Sequence, residues 1–384
     1  MTTFPIFELE RWQSDFEHAV EYNLSDSSVR GARLGDLLTP ADVEGLLDLE
    51  LGYPMVNGTE RLRQRIADLY RGADLENVLV TVGGAEANQL ICQTLIKPGD
   101  RVAVMEPGYR QVWGLAQVQG AEVVPFGLDP ANGWRPRLEE LEHAATGGLA
   151  LISLVNPNNP TGSVLRPDER ARIVTVARRT GAWILADEVY RGAERHTDTE
   201  TASFWGDYER VVAVNSLSKA YGLAGLRIGW AVAPHDLIQP LWRRHEYAVI
   251  AAAGPSMRVA ELALTPAMRA RLIARQRGLT RTGWEVMERW LAANADLVSV
   301  GASEATSMGF VRYSIPGSSV AVADRIRREA SVLVAPGEYL GADGHLRIGH
   351  GLGAEYVTTA LDRIADVLRR AAAGAPPVLT ARGK

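Results

Sequence analysis

Between residues 78 and 234, short apolar runs rich in β-branched residues alternate with longer stretches of helical periodicity. Several of these runs are apolar at every position, as in strands whose two faces are both covered by helices. The alternation predicts an α/β fold, in which helices flank a mixed, mostly parallel seven-stranded sheet. The predicted strands are Val78–Val82, Arg101–Met105, Glu122–Phe126, Ala150–Leu154, Trp183–Ala186, Val211–Val214 and Ile228–Val232. The amphipathic stretches Glu86–Ile96 and Pro167–Thr180 predict two of the helices between them.

After about residue 260 the pattern becomes that of a smaller α+β unit. It begins with a long helix at Pro266–Asn294, and the later elements are strands at Phe310–Tyr313, Val332–Val334 and Leu346–Ile348 and helices at Ser319–Arg328 and Tyr356–Ala372. We therefore expect a large domain at 46–262 and a small domain at 263–372, with residues 1–45 joining the small domain. Residues 373–384 are rich in Ala, Gly and Pro and are expected to form a disordered tail.

Composition narrows the function classes. A net charge of −5 argues against a surface for nucleic acid or an anionic membrane. No apolar run is long enough to span a bilayer, and the N-terminus has no signal-peptide pattern. The single cysteine, Cys92, excludes an intrachain disulfide and suits the cytoplasm. We expect no metal, nucleic acid or membrane among the partners.

Lys219 is conspicuous because the chain has three lysines among 41 basic residues, and the other two lie in a turn and at the C-terminus. It follows the predicted strand Val211–Val214 in a Ser- and Gly-rich run. A buried ammonium is costly, but an amine that condenses with an aldehyde loses its charge. With Arg227 eight residues later as an anion clamp, the run indicates a lysine that carries pyridoxal phosphate.

Other polar residues follow predicted strands, where ligands of such sheets bind. Gly84 and Ala85 open a helix and could cradle a phosphate, although an ordinary β–α turn has the same form. Asp187 could pair with a protonated ring nitrogen or could cap a helix. Tyr190 could contact the ring oxygen or could be structural.

Three further residues are candidates for the same region. Asn159, in the loop Asn-Pro-Asn-Asn-Pro-Thr-Gly, could donate to the ring oxygen, whereas Asn-Pro alone signals a turn. Tyr109 follows a strand and could stack on the ring. Arg347 offers a planar fork for a substrate carboxylate, although most arginines of this chain are expected to be surface charges.

Taken together and in this order, Asn-Asn-Pro-Thr-Gly, Asp-Glu-Val-Tyr, Ser-Leu-Ser-Lys and Leu-Arg-Ile resemble the motifs of class I/II aminotransferases, the aspartate aminotransferase-like enzymes of PLP fold type I. The resemblance covers about residues 40–365. It implies that Lys219 carries the cofactor and acts with Asp187 and Tyr190. It implies the remaining cofactor contacts from Gly84, Ala85, Tyr109, Asn159, Ser216, Arg227 and Tyr53. It also implies a homodimer, in which Tyr53 reaches into the site of a second subunit.

The resemblance further implies that Arg347 and Asn159 face the substrate, and we expect the same of Ser27 and Ser28. These serines lie in Ser25–Val29, which replaces the Gly-containing segment usual in the family. The segment is similar to that of a natural-product branch that includes capreomycidine synthase and the lincosamide-pathway PLP enzymes. Members of that branch can divert the reaction. The sequence thus favours transamination but leaves open β-elimination or replacement and decarboxylation with oxidation, and it does not name the substrate side chain.

Overall fold

The computed structural model describes residues 4–376, so residues 377–384 of the predicted tail lie outside the described part. Its helices are α1 Glu8–Phe16, α2 Leu34–Leu37, α3 Pro40–Leu47, α4 Glu60–Ala67, α5 Gly83–Leu95, α6 Gln111–Val118, α7 Leu138–Ala144, α8 Pro167–Thr180, α9 His235–Ala248, α10 Gly254–Ala263, α11 Pro266–Ala293, α12 Ser319–Ala330 and α13 Ala354–Ala372. Its strands are β1 Tyr22–Asn23, β2 Val78–Thr81, β3 Arg101–Glu106, β4 Glu122–Asp129, β5 Arg135–Pro136, β6 Leu151–Val155, β7 Trp183–Asp187, β8 Val211–Ser216, β9 Gly229–Val232, β10 Val298–Val300, β11 Met308–Tyr313, β12 Val332–Leu333, β13 Ala335–Pro336 and β14 His345–Gly349.

The largest sheet has the strand order β2-β9-β8-β7-β6-β3-β4-β5. Strands β8, β7, β6, β3 and β4 pair in parallel, whereas β9 is antiparallel to both β2 and β8. Every residue of β2, β8 and β9 is buried, as their continuous apolar runs predict. Apolar clusters cover both faces of the sheet, one of them with α7 and α8 and the other with α5 and α9. The fold is therefore the α/β architecture that the alternation predicts.

A second body contains the antiparallel sheet β10-β11-β14-β13, which is packed with α11, α12 and α13. The N-terminal segment joins this body: β1 pairs in parallel with β12, and Trp12 Nε1 donates to the carbonyl of Val334 at 2.9 Å. Trp12 and Leu24 belong to the same apolar cluster as the core of this body. The domain boundaries at 45, 262 and 372 remain predictions, since Trp12 and Leu24 pack in this body whereas Leu9 and Leu37 pack against the large sheet.

The seven predicted strands of the large sheet correspond to β2, β3, β4, β6, β7, β8 and β9, with ends that differ by one to three residues. The structure adds β5 as a two-residue edge strand that contains Pro136. A pair this short has no periodicity to recognise, and proline is tolerated there because an edge position needs no second hydrogen bond. Helix α5 begins at Gly83 instead of at the predicted Glu86, which places Gly84 and Ala85 in its first turn.

Two findings concern the ends of the chain and the membrane. Residues 373–376 continue from α13, and Arg325 Nη2 donates to the carbonyl of Ala375 at 2.8 Å. The start of the tail at residue 373 stays a prediction. Within residues 4–376, no helix combines the length and the apolarity that crossing a membrane requires.

Candidate active site

The carboxyl ends of the parallel strands bring most predicted site residues to one edge of the large sheet. Asp187 is the last residue of β7 and Ser216 is the last residue of β8. Tyr109 follows β3 and Asn159 follows β6 by a few residues. Because parallel strands end at a common edge, residues that are far apart in sequence become neighbours there.

A cavity of about 630 Å³ opens at this edge, between the sheet and the N-terminal segment. It is lined by all predicted site residues except Tyr53, namely Ser27, Ser28, Gly84, Ala85, Tyr109, Asn159, Asp187, Tyr190, Ser216, Lys219, Arg227 and Arg347. The cavity therefore has the size and the polar lining of a site for a small molecule.

One end of the cavity is built to receive an anion. Gly84 and Ala85 lie in the first turn of α5, where backbone N–H groups have no partner within the helix. The guanidinium of Arg227 lies over the same turn: a Cβ added to Gly83 would be 2.6 Å from its Nη2. Ser216 contributes a hydroxyl beside them. These donors and the helix dipole suit a phosphate group.

Asp187 lies at the floor of the cavity, and its carboxylate accepts few hydrogen bonds. Asn88 Nδ2 donates to its Oδ2 at 3.1 Å, and the N–H of Val189 donates to its Oδ1 at 3.2 Å. Burial raises the pKa of Asp187, while these two donors and Lys219 oppose the rise. A cationic N–H placed beside this carboxylate would stabilise its ionised form.

Tyr190 lines the same cavity as Lys219 and Arg347. Its hydroxyl is buried and has Ser27 nearby, but it makes no well-formed hydrogen bond within the described structure. Burial is the largest cause of the raised pKa of Tyr190, so the phenol stays protonated and can donate. An unpaired buried hydroxyl that faces a cavity indicates a ligand acceptor at this position.

Lys219 reaches into the centre of the cavity. Its Nζ donates to Ser27 Oγ at 2.9 Å and to Ser28 Oγ at 3.1 Å, and Asp26 Oδ1 lies 3.7 Å from it. The two serines predicted to face the substrate thus contact the lysine amine in this structure. Asp26 was not predicted from the sequence, although it lies directly before the Ser-Ser pair.

Arg347 also lines the cavity. Its side chain is 2% exposed, its Nη1 donates to Asn159 Oδ1 at 3.1 Å, and its Nη2 donates to the carbonyl of Ser25 at 2.6 Å. Its Nε has no partner within the described structure. A buried guanidinium without a paired carboxylate of its own is available for an anionic ligand, because a buried charge needs compensation.

Helix α1 forms an outer wall that the sequence did not predict. Glu10, Gln13, Ser14 and Glu17 line the cavity, and Tyr109 Oη donates to Glu10 Oε1 at 2.8 Å. Nothing in the sequence places this helix over the site, because its contact with the sheet edge is made through the fold. Asn88 is a different case, because it lies four residues after Gly84 on the same helix, so the helical spacing could have found it.

Tyr53 lies apart from the cavity in the single chain. Its side chain is 88% exposed, and it lines a separate surface depression between residues 49–59 and 249–261. Tyr53 therefore does not line the cavity of its own chain, and its contact with the site of a second subunit stays a prediction.

The donor set of the cavity fits pyridoxal phosphate on chemical grounds. The anion-binding turn with Arg227 matches a phosphate, Asp187 matches a protonated ring nitrogen, and the unpaired hydroxyl of Tyr190 matches a ring oxygen. Lys219 supplies the amine that an aldehyde requires. Adding a Cβ to Gly84 would bring it 3.3 Å from Val189 Cγ1, so the phosphate turn has little room for a larger residue.

Comparisons with known proteins assign this chain to a family. The profile of the family "Aminotransferase class I and II" matches residues 44–364. Capreomycidine synthase of Streptomyces vinaceus is 30% identical over 350 residues, 90% of this chain and 89% of that protein. Arginine–pyruvate transaminase of Pseudomonas aeruginosa is 32% identical over 343 residues, 85% of each chain.

A solved structure of a PLP-dependent aminotransferase from Streptococcus suis superimposes with a TM-score of 0.89 at 31% identity. The superposition covers 96% of this chain and 99% of that one. The likeness therefore extends over both bodies of the fold. The chain belongs to the class I and II aminotransferase family and is a pyridoxal phosphate-dependent enzyme of fold type I.

Proposed function

We propose that this enzyme is an aminotransferase that acts at the α-carbon of an amino acid, in the cytoplasm and in the biosynthesis of a specialised metabolite. The observation that carries the proposal is the convergence of Lys219, Asp187 and Arg347 on one cavity. The likeness to an arginine–pyruvate transaminase supports the reaction type, and the likeness to capreomycidine synthase supports the biosynthetic setting.

In the proposed mechanism, each group of residues has a separate task. Bound pyridoxal phosphate supplies an aldehyde that captures amines and a ring that withdraws electrons from bonds at the α-carbon. Gly84, Ala85, Ser216 and Arg227 hold the phosphate. Asp187 keeps the ring nitrogen protonated, with Asn88 fixing the carboxylate, and Tyr190 donates to the ring oxygen.

Arg347 and Asn159 orient the substrate. The guanidinium binds the substrate carboxylate, and Asn159 holds the guanidinium in place through the contact with Nη1. Once the substrate amine has displaced it, Lys219 takes the proton from the α-carbon. In transamination, Lys219 would hand this proton on, while the bound cofactor would supply the acceptor for the amino group and water would supply the oxygen of the keto acid.

A second candidate function is a PLP-dependent β-elimination or replacement lyase, or a decarboxylating oxidative deaminase. Its substrate would be a modified amino acid, such as an S-conjugated cysteine or a hydroxyarginine. The contacts of Ser27 and Ser28 with Lys219 favour this alternative, because they place hydroxyls of the unusual N-terminal segment at the reacting centre. These groups could steer the proton to another destination.

The two candidates are separated by incubating the holoenzyme with a panel of amino acids. Transamination predicts that the absorption of the linked cofactor is replaced by that of the aminated cofactor, with one keto acid formed per site. Release of ammonia or of a β-substituent without amination of the cofactor would instead establish the lyase. Lys219→Ala is the control, and a variant that retained the visible absorption of a lysine-linked cofactor would contradict the role of Lys219.

The proposed assembly is a homodimer with shared active sites. Support comes from a group of exposed apolar side chains around Tyr53, which are Leu47, Leu51, Met55, Tyr247, Val249 and Ile250. An exposed apolar patch of this kind is typical of an interface. Light scattering on the purified enzyme tests this proposal, and a monomeric mass with full activity would refute it.

A further inference from the structure

The segment that joins β1 to α2 surrounds the amine of Lys219 with three acceptors. Ser27 Oγ and Ser28 Oγ accept hydrogen bonds from Nζ, and the carboxylate of Asp26 lies at ion-pair distance. A lysine ammonium has three N–H donors and no acceptor, whereas a neutral amine has two N–H groups and a lone pair. The three groups therefore equal in number the N–H donors of a free Lys219 ammonium, and the carboxylate complements its charge.

The acceptors are held in place by contacts on both sides. Asp26 Oδ1 accepts from the N–H of Ser28 at 2.9 Å, which closes a local turn around the Ser-Ser pair. Ser307 Oγ donates to the carbonyl of Ser27 at 3.2 Å. Arg347 binds the carbonyl of Ser25, and Arg30 donates through its N–H to the carbonyl of Gly351 at 2.9 Å. The segment is thus anchored before and after the residues that contact the lysine.

The electrostatic environment favours an ionised Asp26. Burial alone would raise its pKa, but the Lys219 ammonium, the N–H and hydroxyl of Ser28 and the guanidinium of Arg347 together lower it. Asp187 also faces Lys219 from the cavity floor, but its carboxylate is already engaged by Asn88 and Val189. Asp26 is therefore the carboxylate that the structure offers to the lysine amine.

We propose that Asp26, Ser27 and Ser28 form a cradle for the free ammonium of Lys219. The cradle receives the amine when an incoming substrate amine displaces it, and it stabilises on Nζ the proton that Lys219 then takes from the α-carbon. Asp26 is then a positioning residue that acts through Lys219. This inference rests on the proposed function, in which Lys219 carries the cofactor.

The test measures the reactivity of Lys219 in the full-length protein freed of cofactor. A trace acylating reagent modifies only neutral amines, and peptide mass spectrometry reports each lysine separately. Exposed Lys97 provides a reference within the same molecule. Asp26→Asn keeps an acceptor for the N–H of Ser28 but removes the charge, so acylation of Lys219 relative to Lys97 should rise about fivefold, as for a partly exposed ion pair.

Matched variants distinguish the cradle from a general effect of charge. Glu17→Gln removes a carboxylate from the same cavity that does not contact Lys219, so it should leave the ratio unchanged. Asp26→Glu should restore a low ratio, and Ser28→Ala should raise it by a smaller factor. An unchanged ratio in both Asp26→Asn and Ser28→Ala, with circular dichroism showing folded proteins, would overturn the proposal.

A spectroscopic readout separates failure of the cradle from failure of the proposed function. Condensation with an aldehyde requires a neutral amine, so Asp26→Asn should recover the visible absorption of the linked cofactor faster than the wild type when pyridoxal phosphate is added near neutral pH. If the wild type never develops this absorption, the role proposed for Lys219 fails, while the acylation ratio still reports on the cradle. Equal recovery rates would count against the cradle.

Discussion

Glu188 lies next to Asp187 but points away from the cavity into the protein. Its Oε1 accepts from Ser203 Oγ at 2.9 Å and from the N–H of Phe204 at 2.7 Å, whereas its Oε2 has no partner within the described structure. Burial raises the pKa of Glu188 to about 7, against the opposing effects of Arg191, Arg170 and these two donors. The folded protein therefore binds a proton at Glu188 that the unfolded chain releases at lower pH.

Because of this shift, the free energy of unfolding decreases as the pH rises. Because the folded-state pKa is raised, the contribution of Glu188 is complete below the unfolded pKa of about 4.5 and is lost as the pH rises through about 7. The loss amounts to roughly 3 kcal/mol. We expect Glu188→Gln to be stabilised relative to the wild type as the pH rises over this range, as urea unfolding would measure. A constant difference in unfolding free energy between the two proteins would contradict the assignment.

Gly83 offers a test of the phosphate turn. It adopts φ of +76°, and a Cβ at this position would lie 2.6 Å from Nη2 of Arg227. Gly83→Ala should therefore displace the guanidinium and weaken cofactor binding by about tenfold, which corresponds to strain of ~1–2 kcal/mol. Titration with pyridoxal phosphate measures the dissociation constant. Gly45→Ala is the matched control, because Gly45 lies in a helix with open space around it, and this variant should bind the cofactor normally.

Single residues differ in how far sequence alone could place them. Lys219, Asp187 and Arg347 lie within motifs whose spacing indicates their chemistry, and the structure places all three in one cavity. Asp26 and Glu10 were missed, because an acidic residue in an N-terminal stretch is usually a surface charge. Only the pairing of β1 with β12 and the packing of α1 bring these two to the site.

At the level of elements, α1 is the wall that a substrate side chain would meet. Glu10 on α1 and Glu17 directly after it line the cavity, whereas the basic residues of the lining, Lys219, Arg227 and Arg347, already have proposed tasks. Amino acids with a cationic side chain should therefore bind better than those with an acidic one, because opposite charges attract across a partly exposed cavity.

Glu17→Gln tests this expectation at the residue that directly follows α1. The variant should raise KM for a cationic amino acid by roughly threefold and leave KM for a neutral one unchanged, since a partly exposed pair contributes modestly. Steady-state kinetics with both substrates provides the measurement. Glu285→Gln, on the exposed side of α11, is the control and should change neither value. A preference that persists fully in Glu17→Gln would assign recognition to another residue.

The elements that sequence could predict are those that bury a periodic or continuous apolar face. The strands of the large sheet and the long helix α11 have such faces, and α11 begins at the predicted Pro266 and ends one residue earlier than predicted. Some of the elements that were not predicted are very short. Helix α2 has four residues and β5 has two, so their existence depends on tertiary contacts that no local pattern encodes.

For the whole molecule, the position of Tyr53 makes a quantitative prediction about subunit exchange. If each site combines Lys219 of one subunit with Tyr53 of the other, Lys219→Ala and Tyr53→Ala should each have low activity as homodimers. Mixing and re-equilibrating the two variants would rebuild intact sites in heterodimers. Activity should then recover to about a quarter of the wild-type value for a random equal mixture of subunits.

One outcome of this mixing experiment would contradict the prediction for Tyr53. A mixture that stays as inactive as its components, although light scattering shows exchanged dimers, would place Tyr53 outside the partner's site.

At the scale of the whole molecule, the sequence could predict the family and the large sheet, because motifs and apolar runs are local. It could not place Asp26 and Glu10, since their proximity to the site depends on contacts between distant segments.

The pairing of β1 with β12 has a consequence for how the enzyme is made. Tyr22 lies opposite Val332, so the strand that leads to the cradle finds its partner only after most of the chain has been synthesised. On the ribosome, the lysine at residue 219 is translated more than a hundred residues before β12 can receive β1. The pairing of β1 with β12 can therefore hold the cradle against Lys219 only after residue 332 has been synthesised.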